Sequence, residues 1–349
     1  MFSREIVING ISVSDETDAY VIAEIGHNHE GDIGKAEKLF RAAADAGAQA
    51  VKLQKRDNRT LFTRAMYEEP YVGPHSYGRT YGEHREALEF GRADYQHLAA
   101  LANELGVDFM STAFDLPSVD FLADIGVAAI KVASGDVTNT PLLAHAAAVG
   151  VPLIVSTGGA DQDDVRRAAD TILPVNPQLA LLQCSAIYPA QVDDLNLSVI
   201  STLRADFPCV IGFSGHDDTP DLSWIAYALG ARVIEKHVTL DRGAAGSDHH
   251  FSLLPADLAE LVEGLRRVRR AMGSPVKRAM PAEAPALRKM AKKLVASRDL
   301  PAGHRLEPCD VAVKSPGDGM RPYQLPEVLG RTLTRALAAD AHIDPSVLR

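Results

Sequence analysis

The sequence predicts an α/β protein: a (β/α)8 (TIM) barrel followed by a small β-rich domain. Three observations carry this. Eight short apolar runs fall between residues 21 and 238, amphipathic stretches separate them, and most runs end in a polar or ionisable residue. Strand–helix alternation repeated eight times is the signature of the barrel. In that fold the C-terminal strand ends form one face, where active sites are built.

In order, the strand runs are VIAEIG (21–26), AVKLQ (50–54), DFMSTA (108–113), AAIKVAS (128–134), PLIVST (152–157), LALLQCS (179–185), CVIGFSGH (209–216) and RVIEKHV (232–238). KAEKLFRAAADAG and YQHLAALANELG are examples of the helical stretches between them. The strand ends supply Glu24, Lys52, Gln54, Thr112, Lys131, Ser134, Ser156, Ser185, Ser214, His216, Glu235 and His237. One connection breaks the rhythm. About forty residues, including PHSYGRTYGEHREALEF (74–90), lie between the second run and the helix near Tyr95. A connection that long usually covers a site or binds something, so a lid or substrate loop is expected.

The stretch 257–273 carries Leu258, Leu261, Val262, Leu265, Val268 and Met272 at the spacing of an amphipathic helix that closes a barrel. It stops at Gly273, and SPVKRAMPAEAPALRK follows with three prolines, which suits a linker. The runs KLVASRD, CDVAVKSP and GRTLTRALA read as short strands. The expected division is a barrel over 1–280, a linker over 281–291 and a second domain over 292–349. A domain that small buries little core, so it is expected to rest on another surface.

Hydrophobic residues make up 46% and charged residues 23%, ordinary for a soluble globular protein. No apolar stretch approaches the roughly 20 residues of a membrane span, and MFSREIVING lacks the apolar core of a signal peptide. Cys184, Cys209 and Cys309 have no metal-binding spacing, and two fall inside predicted strands, so they read as free thiols of a cytoplasmic protein. A net charge of −10 argues against nucleic acid as a general partner. It leaves room for a small anion, because Lys52 and Lys131 emerge toward one barrel mouth.

His216 and His237 end neighbouring strands. Two imidazoles that close, with water and open positions, suit a catalytic divalent cation. Glu235 shares the face of His237 by strand alternation and reads as a third ligand, an outer anchor or part of an acceptor site. Lys52 and Lys131 are costly inside a barrel unless something anionic needs them. Pairing with Glu24 or Glu235 is one alternative, and a Schiff-base role for Lys131 is another. The hydroxyls of Thr112, Ser134, Ser156, Ser185 and Ser214 favour a bound phosphate or carboxylate.

The motifs AEIGHNHEG (23–31), VKLQ (51–54), STAFD (111–115), KVASGD (131–136), STGG (156–159), QCSAIYP (183–189), GFSGHD (212–217) and EKHVTLDRGAAGSDH (235–249) resemble those of the sialic acid synthases. The tail VASRDLPAGHRLEPCDVAVKSPGDGMRP is similar to that family's C-terminal antifreeze-like (SAF) domain. The resemblance is collinear over essentially the whole chain, and GRTYGEHREALEF and LLQC…YP look closer to the animal-type enzymes. It implies condensation of phosphoenolpyruvate with an open-chain aldose of the N-acetylmannosamine type, free or as the 6-phosphate, to give a nonulosonic (sialic) acid and phosphate.

It further implies that Lys52, Thr112, Lys131, Ser134, Ser156, Ser185 and Ser214 hold phosphoenolpyruvate. His216 and His237 match the family's ligands for Mn²⁺ or Mg²⁺. Glu24, Gln54, Phe114, Tyr188, Glu235 and Asp248 match positions on the acceptor side, with Glu24 the candidate for proton transfer. The implied assembly is a domain-swapped homodimer in which residues 292–349 cover the partner's barrel mouth. Three departures bear on the acceptor. Ala186 stands where relatives carry Asn or Ser, Gly215 where capsule-type enzymes have Asp, and Ser315 in place of an Arg of bacterial relatives. A Kdn-, legionaminic- or pseudaminic-type acid, or an eight-carbon acid, is therefore an alternative product, as is a Schiff-base aldolase working through Lys131.

Overall fold

The computed structural model describes residues 4–73 and 75–349, so Met1–Ser3 of the stretch read for a signal peptide and Pro74 of the long connection lie outside it. It divides into two compact units, one ending at Gly273 and the other comprising Ser274–Arg349.

The first unit opens with an antiparallel hairpin of β1 (Glu5–Ile8) and β2 (Ile11–Ser14). The hairpin lies outside the eight-run pattern, although its signal is present in the sequence. Asn9 and Gly10 both take positive φ (45° and 83°), the two-residue turn that an Asn-Gly pair favours between alternating apolar residues. Ile6, Ile8 and Val13 are buried against Tyr20, Met110, Ile154, Leu182 and Val233, so the hairpin plugs the end of the barrel opposite the strand C-termini. Asp108 pins it there, accepting from Asn9 Nδ2 at 2.8 Å and from the Tyr20 hydroxyl at 2.6 Å.

The eight expected strands close into one parallel barrel. They are β3 (Tyr20–Gly26), β4 (Ala50–Lys55), β5 (Asp108–Ala113), β6 (Ile130–Val132), β7 (Leu153–Ser156), β8 (Leu179–Cys184), β9 (Val210–Gly215) and β10 (Val233–His237). All residues of β3 and of β5–β10 are buried, as are the first four of β4, because the lumen is filled and helices cover the outside. Side chains alternate between the two. Ile22, Ala50, Met110, Ile154, Ala180, Leu182, Val210 and Val233 fill the lumen near the hairpin. Val21, Val51, Phe109, Val155, Leu181, Ile211 and Ile234 face the surrounding helices. Continuing the inward phase toward the strand C-termini reaches Glu24, Lys52, Gln54, Thr112, Lys131, Ser156, Cys184, Ser214, Glu235 and His237.

The helix after β3 spans Ile33–Asp45 and the one before β5 spans Arg92–Leu105. Asp115, the last residue of STAFD, caps the helix Leu116–Ile125 by accepting from Ser118 N, and its other oxygen accepts from Asp57 N at 2.7 Å. That second bond ties the loop after β4 to the loop after β5. The closing helix Pro255–Met272 buries Leu258, Leu261, Val262 and Leu265 as expected, whereas Met272 in its last turn is exposed. The long connection forms short helices at Asn58–Leu61, Arg64–Glu68 and Tyr81–Ala87. It reaches the loop after β10 through the Tyr77 hydroxyl, which donates to Ala245 O, and through His75 Nδ1, which accepts from Gly246 N.

In the second unit, residues 281–291 contain an exposed helix, Ala284–Met290. β11 (Lys293–Ala296) pairs antiparallel with β12 (Val311–Lys314). The third expected strand, GRTLTRALA, instead makes isolated bridges through Thr332, Leu333 and Leu337. The unit still has its own core of Leu294, Leu300, Leu306, Val328, Leu333, Leu337, Ile343 and Val347. No helix among the described residues is long and apolar enough to cross a membrane.

Candidate active site

A cavity of about 460 Å³ opens at the C-terminal end of the barrel. Its lining includes Glu24, Lys52, Gln54, Thr112, Phe114, Lys131, Ser134, Ser156, Tyr188, Ser214, His216, Glu235, His237 and Asp248. Ser185 is the one expected site residue outside it. β8 ends at Cys184, whose phase is inward, so Ser185 points away, and its hydroxyl donates to Asp194 O at 2.6 Å. Cys184 takes the lining position instead.

The two lysines are held differently. Lys52 Nζ lies 2.6 Å from Glu24 Oε2 and 3.8 Å from Glu235 Oε2, and donates to Thr112 Oγ1 at 2.8 Å. Lys131 Nζ donates to Ser156 Oγ at 2.6 Å and to Val132 O at 2.8 Å. No carboxylate among the described residues lies within ion-pair distance of it. Burial pulls the Lys131 ammonium below its ordinary range, although Glu235 favours the charged form. An ammonium buried without a counter-ion is costly, and an anionic ligand would supply one.

The two carboxylates that flank Lys52 separate in the same way. Glu24 is buried, and that burial raises it against the pull of Lys52. Its Oε1 accepts from Gln54 Nε2 at 2.7 Å. Glu235 is equally buried, but Lys52, Lys131 and His237 together outweigh burial and hold it low. Ser214 Oγ donates to Glu235 Oε1 at 3.1 Å. Two acids driven apart by one environment form an acid-and-carboxylate pair.

The His216 and His237 rings lie 5.4 Å apart, centroid to centroid. His216 Nδ1 donates to Ser185 O at 2.8 Å, which leaves Nε2 carrying the lone pair. His237 Nδ1 is buried without a hydrogen bond, 3.8 Å from Asp248 Oδ2. Burial lowers His237 below the usual imidazole range, so it stays neutral and ligand-competent. Two imidazoles whose centroids lie 5.4 Å apart, one of them oriented by a backbone carbonyl, with a carboxylate nearby fit a divalent cation. Glu235 does not complete a three-ligand cluster among the described residues.

Three further lining residues, His27, Arg56 and Arg85, were absent from the strand-end pattern because they lie beyond the strands, His27 and Arg56 in loops and Arg85 on the short helix Tyr81–Ala87. Arg56 follows β4, and Arg85 comes from the long connection, placing that segment at the cavity. Elsewhere in the long connection, Arg79 is turned outward and lies 3.7 Å from Glu83.

Residues 39–277 match the NeuB family, and residues 293–349 match the SAF domain. The chain belongs to the NeuB family. It is similar to family members named for different products. The N-acetylneuraminate-9-phosphate synthase of Mus musculus is 42% identical over 295 residues, which cover 84% of this chain and 82% of that one. The N,N'-diacetyllegionaminic acid synthase of Legionella pneumophila is 37% identical over 341 residues, covering 95% of each. Among solved structures, the N-acetylneuraminic acid synthetase of Leptospira borgpetersenii, in complex with citrate, superposes with a TM-score of 0.72 at 31% identity over 82% of this chain and 96% of that one. The sialic acid synthase family with its C-terminal SAF domain, expected from the motifs, is thus the family of this chain.

Proposed function

We propose that the protein condenses phosphoenolpyruvate with the open-chain form of an N-acetylmannosamine-type aldose, giving a nonulosonic acid and inorganic phosphate. The observation that carries this is Lys131, a buried ammonium with no carboxylate partner, set among hydroxyls in the cavity that also holds the paired histidines. Lys52 and Lys131, with Thr112, Ser134, Ser156 and Ser214, bind the phosphate and carboxylate of phosphoenolpyruvate. The Ser185 side chain takes no part, and its carbonyl orients His216 instead.

Carbon 3 of phosphoenolpyruvate bonds to the aldehyde carbon, whose oxygen takes up charge and then a proton. Glu24, raised by burial and held by Gln54 and Lys52, delivers that proton. Water adds at carbon 2 and returns one proton to Glu24; the carbon 2 hydroxyl so formed then gives its proton to the departing phosphate as the bond between carbon 2 and the bridging oxygen breaks, leaving the ketone and inorganic phosphate. Glu235 stays ionised and steadies Lys52. His216 and His237 would hold a divalent ion, Mn²⁺ or Mg²⁺, which polarises the aldehyde when bound. Phe114, Tyr188 and Asp248 complete the acceptor side.

An aldolase working through an imine at Lys131 is not favoured, because that amine is engaged by Ser156 and the Val132 carbonyl and the named relatives are synthases. The full reading is a cytoplasmic homodimer with a barrel over 1–280, a linker over 281–291 and an SAF domain over 292–349 that covers the partner's barrel mouth. The Legionella relative makes a diacetamido hexose the second acceptor to test. Phosphate release should be assayed with N-acetylmannosamine, its 6-phosphate, a diacetamido hexose, mannose and arabinose 5-phosphate. A six-carbon aldose should give the highest kcat/KM, and preference for the pentose phosphate would reject the reading.

A further inference from the structure

Arg56 and Arg85 stand out once the lysines are assigned. Arg56 is 8% exposed, and no carboxylate among the described residues lies within ion-pair distance of its guanidinium. Its Nη2 donates to Gln54 Oε1 at 2.7 Å, its Nη1 lies 3.0 Å from His27 Nε2, and its plane stacks 3.7 Å over the Phe114 ring. Arg85, half-buried, also lacks a carboxylate partner: Nε and Nη2 donate to the Tyr81 hydroxyl, and Nη1 lies 3.2 Å from His27 Nδ1. Glu89, which accepts from the Arg56 backbone N–H at 3.3 Å, pairs with Lys55 at 2.8 Å.

The imidazole between them cannot satisfy both. A neutral imidazole has one acceptor nitrogen, so only one of the two guanidinium contacts is a hydrogen bond. Burial and the two arginines hold His27 well below the usual imidazole range, so it does not become a third cation. Two guanidiniums, one frustrated imidazole and a cavity opening together make a site with donors to spare and no carboxylate among the described residues at ion-pair distance from either guanidinium. Each guanidinium is fixed before ligand arrives, one by Gln54 and Phe114 and the other by Tyr81, which lowers the ordering cost of binding.

Its place along the cavity says which part of a ligand it meets. Glu24 Oε1, Gln54 Nε2 and His237 Cε1 converge around Gly26, where an added Cβ would lie 3.2, 3.3 and 3.6 Å from them. From that point Gln54 leads to Arg56, Arg56 to His27 and His27 to Arg85. An open-chain hexose with its carbonyl carbon at the histidines presents its far end to the arginines.

We infer that Arg56 and Arg85, closed around His27, form an oxyanion subsite that takes a phosphate on the end of the acceptor remote from the aldehyde. The inference rests on the synthase reading and narrows the acceptor to a hexose 6-phosphate. Fork-shaped guanidiniums match a phosphate through paired hydrogen bonds, which a neutral hydroxyl at the same carbon cannot return.

The test compares N-acetylmannosamine with its 6-phosphate in the parent, Arg56→Met, Arg85→Met and Arg85→Lys proteins, each checked for an unchanged melting profile. The parent should prefer the phosphorylated sugar. Each Met variant should lose about tenfold to a hundredfold in kcat/KM for it, collapsing the preference, with KM for phosphoenolpyruvate held within about twofold. Arg85→Lys should keep part of the preference. Calorimetric binding of N-acetylmannosamine 6-phosphate should weaken in the same order. Equal losses on both sugars, or losses that fall on phosphoenolpyruvate, overturn the subsite while leaving the reaction standing. Arginine-dependent binding of the sugar phosphate without phosphate release from phosphoenolpyruvate sinks the reaction and keeps the subsite.

Discussion

Replacing the two cavity lysines by Met should have opposite effects on stability and similar effects on phosphoenolpyruvate. In Lys131→Met, the protein loses an ammonium that has no counter-ion and is disfavoured by burial. The bonds to Ser156 and the Val132 carbonyl disappear, but no buried charge is left unpaired. Melting temperature should therefore stay level or rise. Lys52→Met leaves Glu235, which is held ionised, without the ammonium 3.8 Å away, and takes from Glu24 the ammonium 2.6 Å from its Oε2. Removing one partner of a buried ion pair costs about 3–5 kcal/mol, so this variant should melt well below the parent. On the ligand side each change removes a charge-assisted bond worth roughly 1.5–3 kcal/mol, which raises KM for phosphoenolpyruvate about 10- to 150-fold. Thermal denaturation without substrates and phosphate release under varied phosphoenolpyruvate measure the two effects separately. If Lys131→Met melts as low as Lys52→Met, or binds phosphoenolpyruvate like the parent, the account of Lys131 as an ammonium awaiting an anion is wrong.

Three other outcomes are expected. Chelation should abolish phosphate release and Mn²⁺ or Mg²⁺ should restore it, while His216→Ala and His237→Ala should lose metal binding in equilibrium dialysis; full turnover in a metal-free preparation would refute the two-histidine site. His29, buried against Phe90, is lowered by burial to about 4. The unfolded chain protonates it near 6.5, so its contribution is whole above that pH and is lost as pH falls from 6.5 toward 4, by up to about 3 kcal/mol. His29→Gln should flatten that acid slope in urea titrations, and an unchanged slope would rule this source out. Deleting 292–349 should weaken association and raise KM for the acceptor while the barrel keeps its far-ultraviolet spectrum; unaltered sedimentation and acceptor kinetics would reject the trans arrangement.

The barrel was legible because its strands are buried on both faces and end in chemistry-bearing residues at a fixed phase. That phase also explains the misplaced serine. Counting inward positions along β8 gives Ala180, Leu182 and Cys184, so Ser185 falls on the wrong side by one residue, and composition alone hid the slip. The amino-terminal hairpin had its turn signal at Asn9-Gly10, yet it belongs to the end of the barrel remote from the chemistry. His27 and Arg56 come from loops and Arg85 from a short helix inside the long connection, where no strand periodicity announces which way a side chain points. Only the folded path of the long connection brings Arg85 to His27. In the second unit, GRTLTRALA has the residues of a strand, but its partners are met one bridge at a time.

Gly215 carries a consequence for how such a chain can change. A Cβ there would lie 2.7 Å from Asp217 Oδ1 and 2.7 Å from Phe213 Cε1. Asp217 cannot simply step aside, since it is buried and 2.8 Å from Lys236, itself buried behind the barrel wall. Installing the aspartate of capsule-type enzymes at this position would crowd a second acid against the first. The order of events is therefore constrained: Phe213 or the Asp217–Lys236 pair must change before residue 215 can. A mutational walk between the two branches passes through the barrel's outer layer before it reaches the pocket, and a library that varies only pocket residues would not find it.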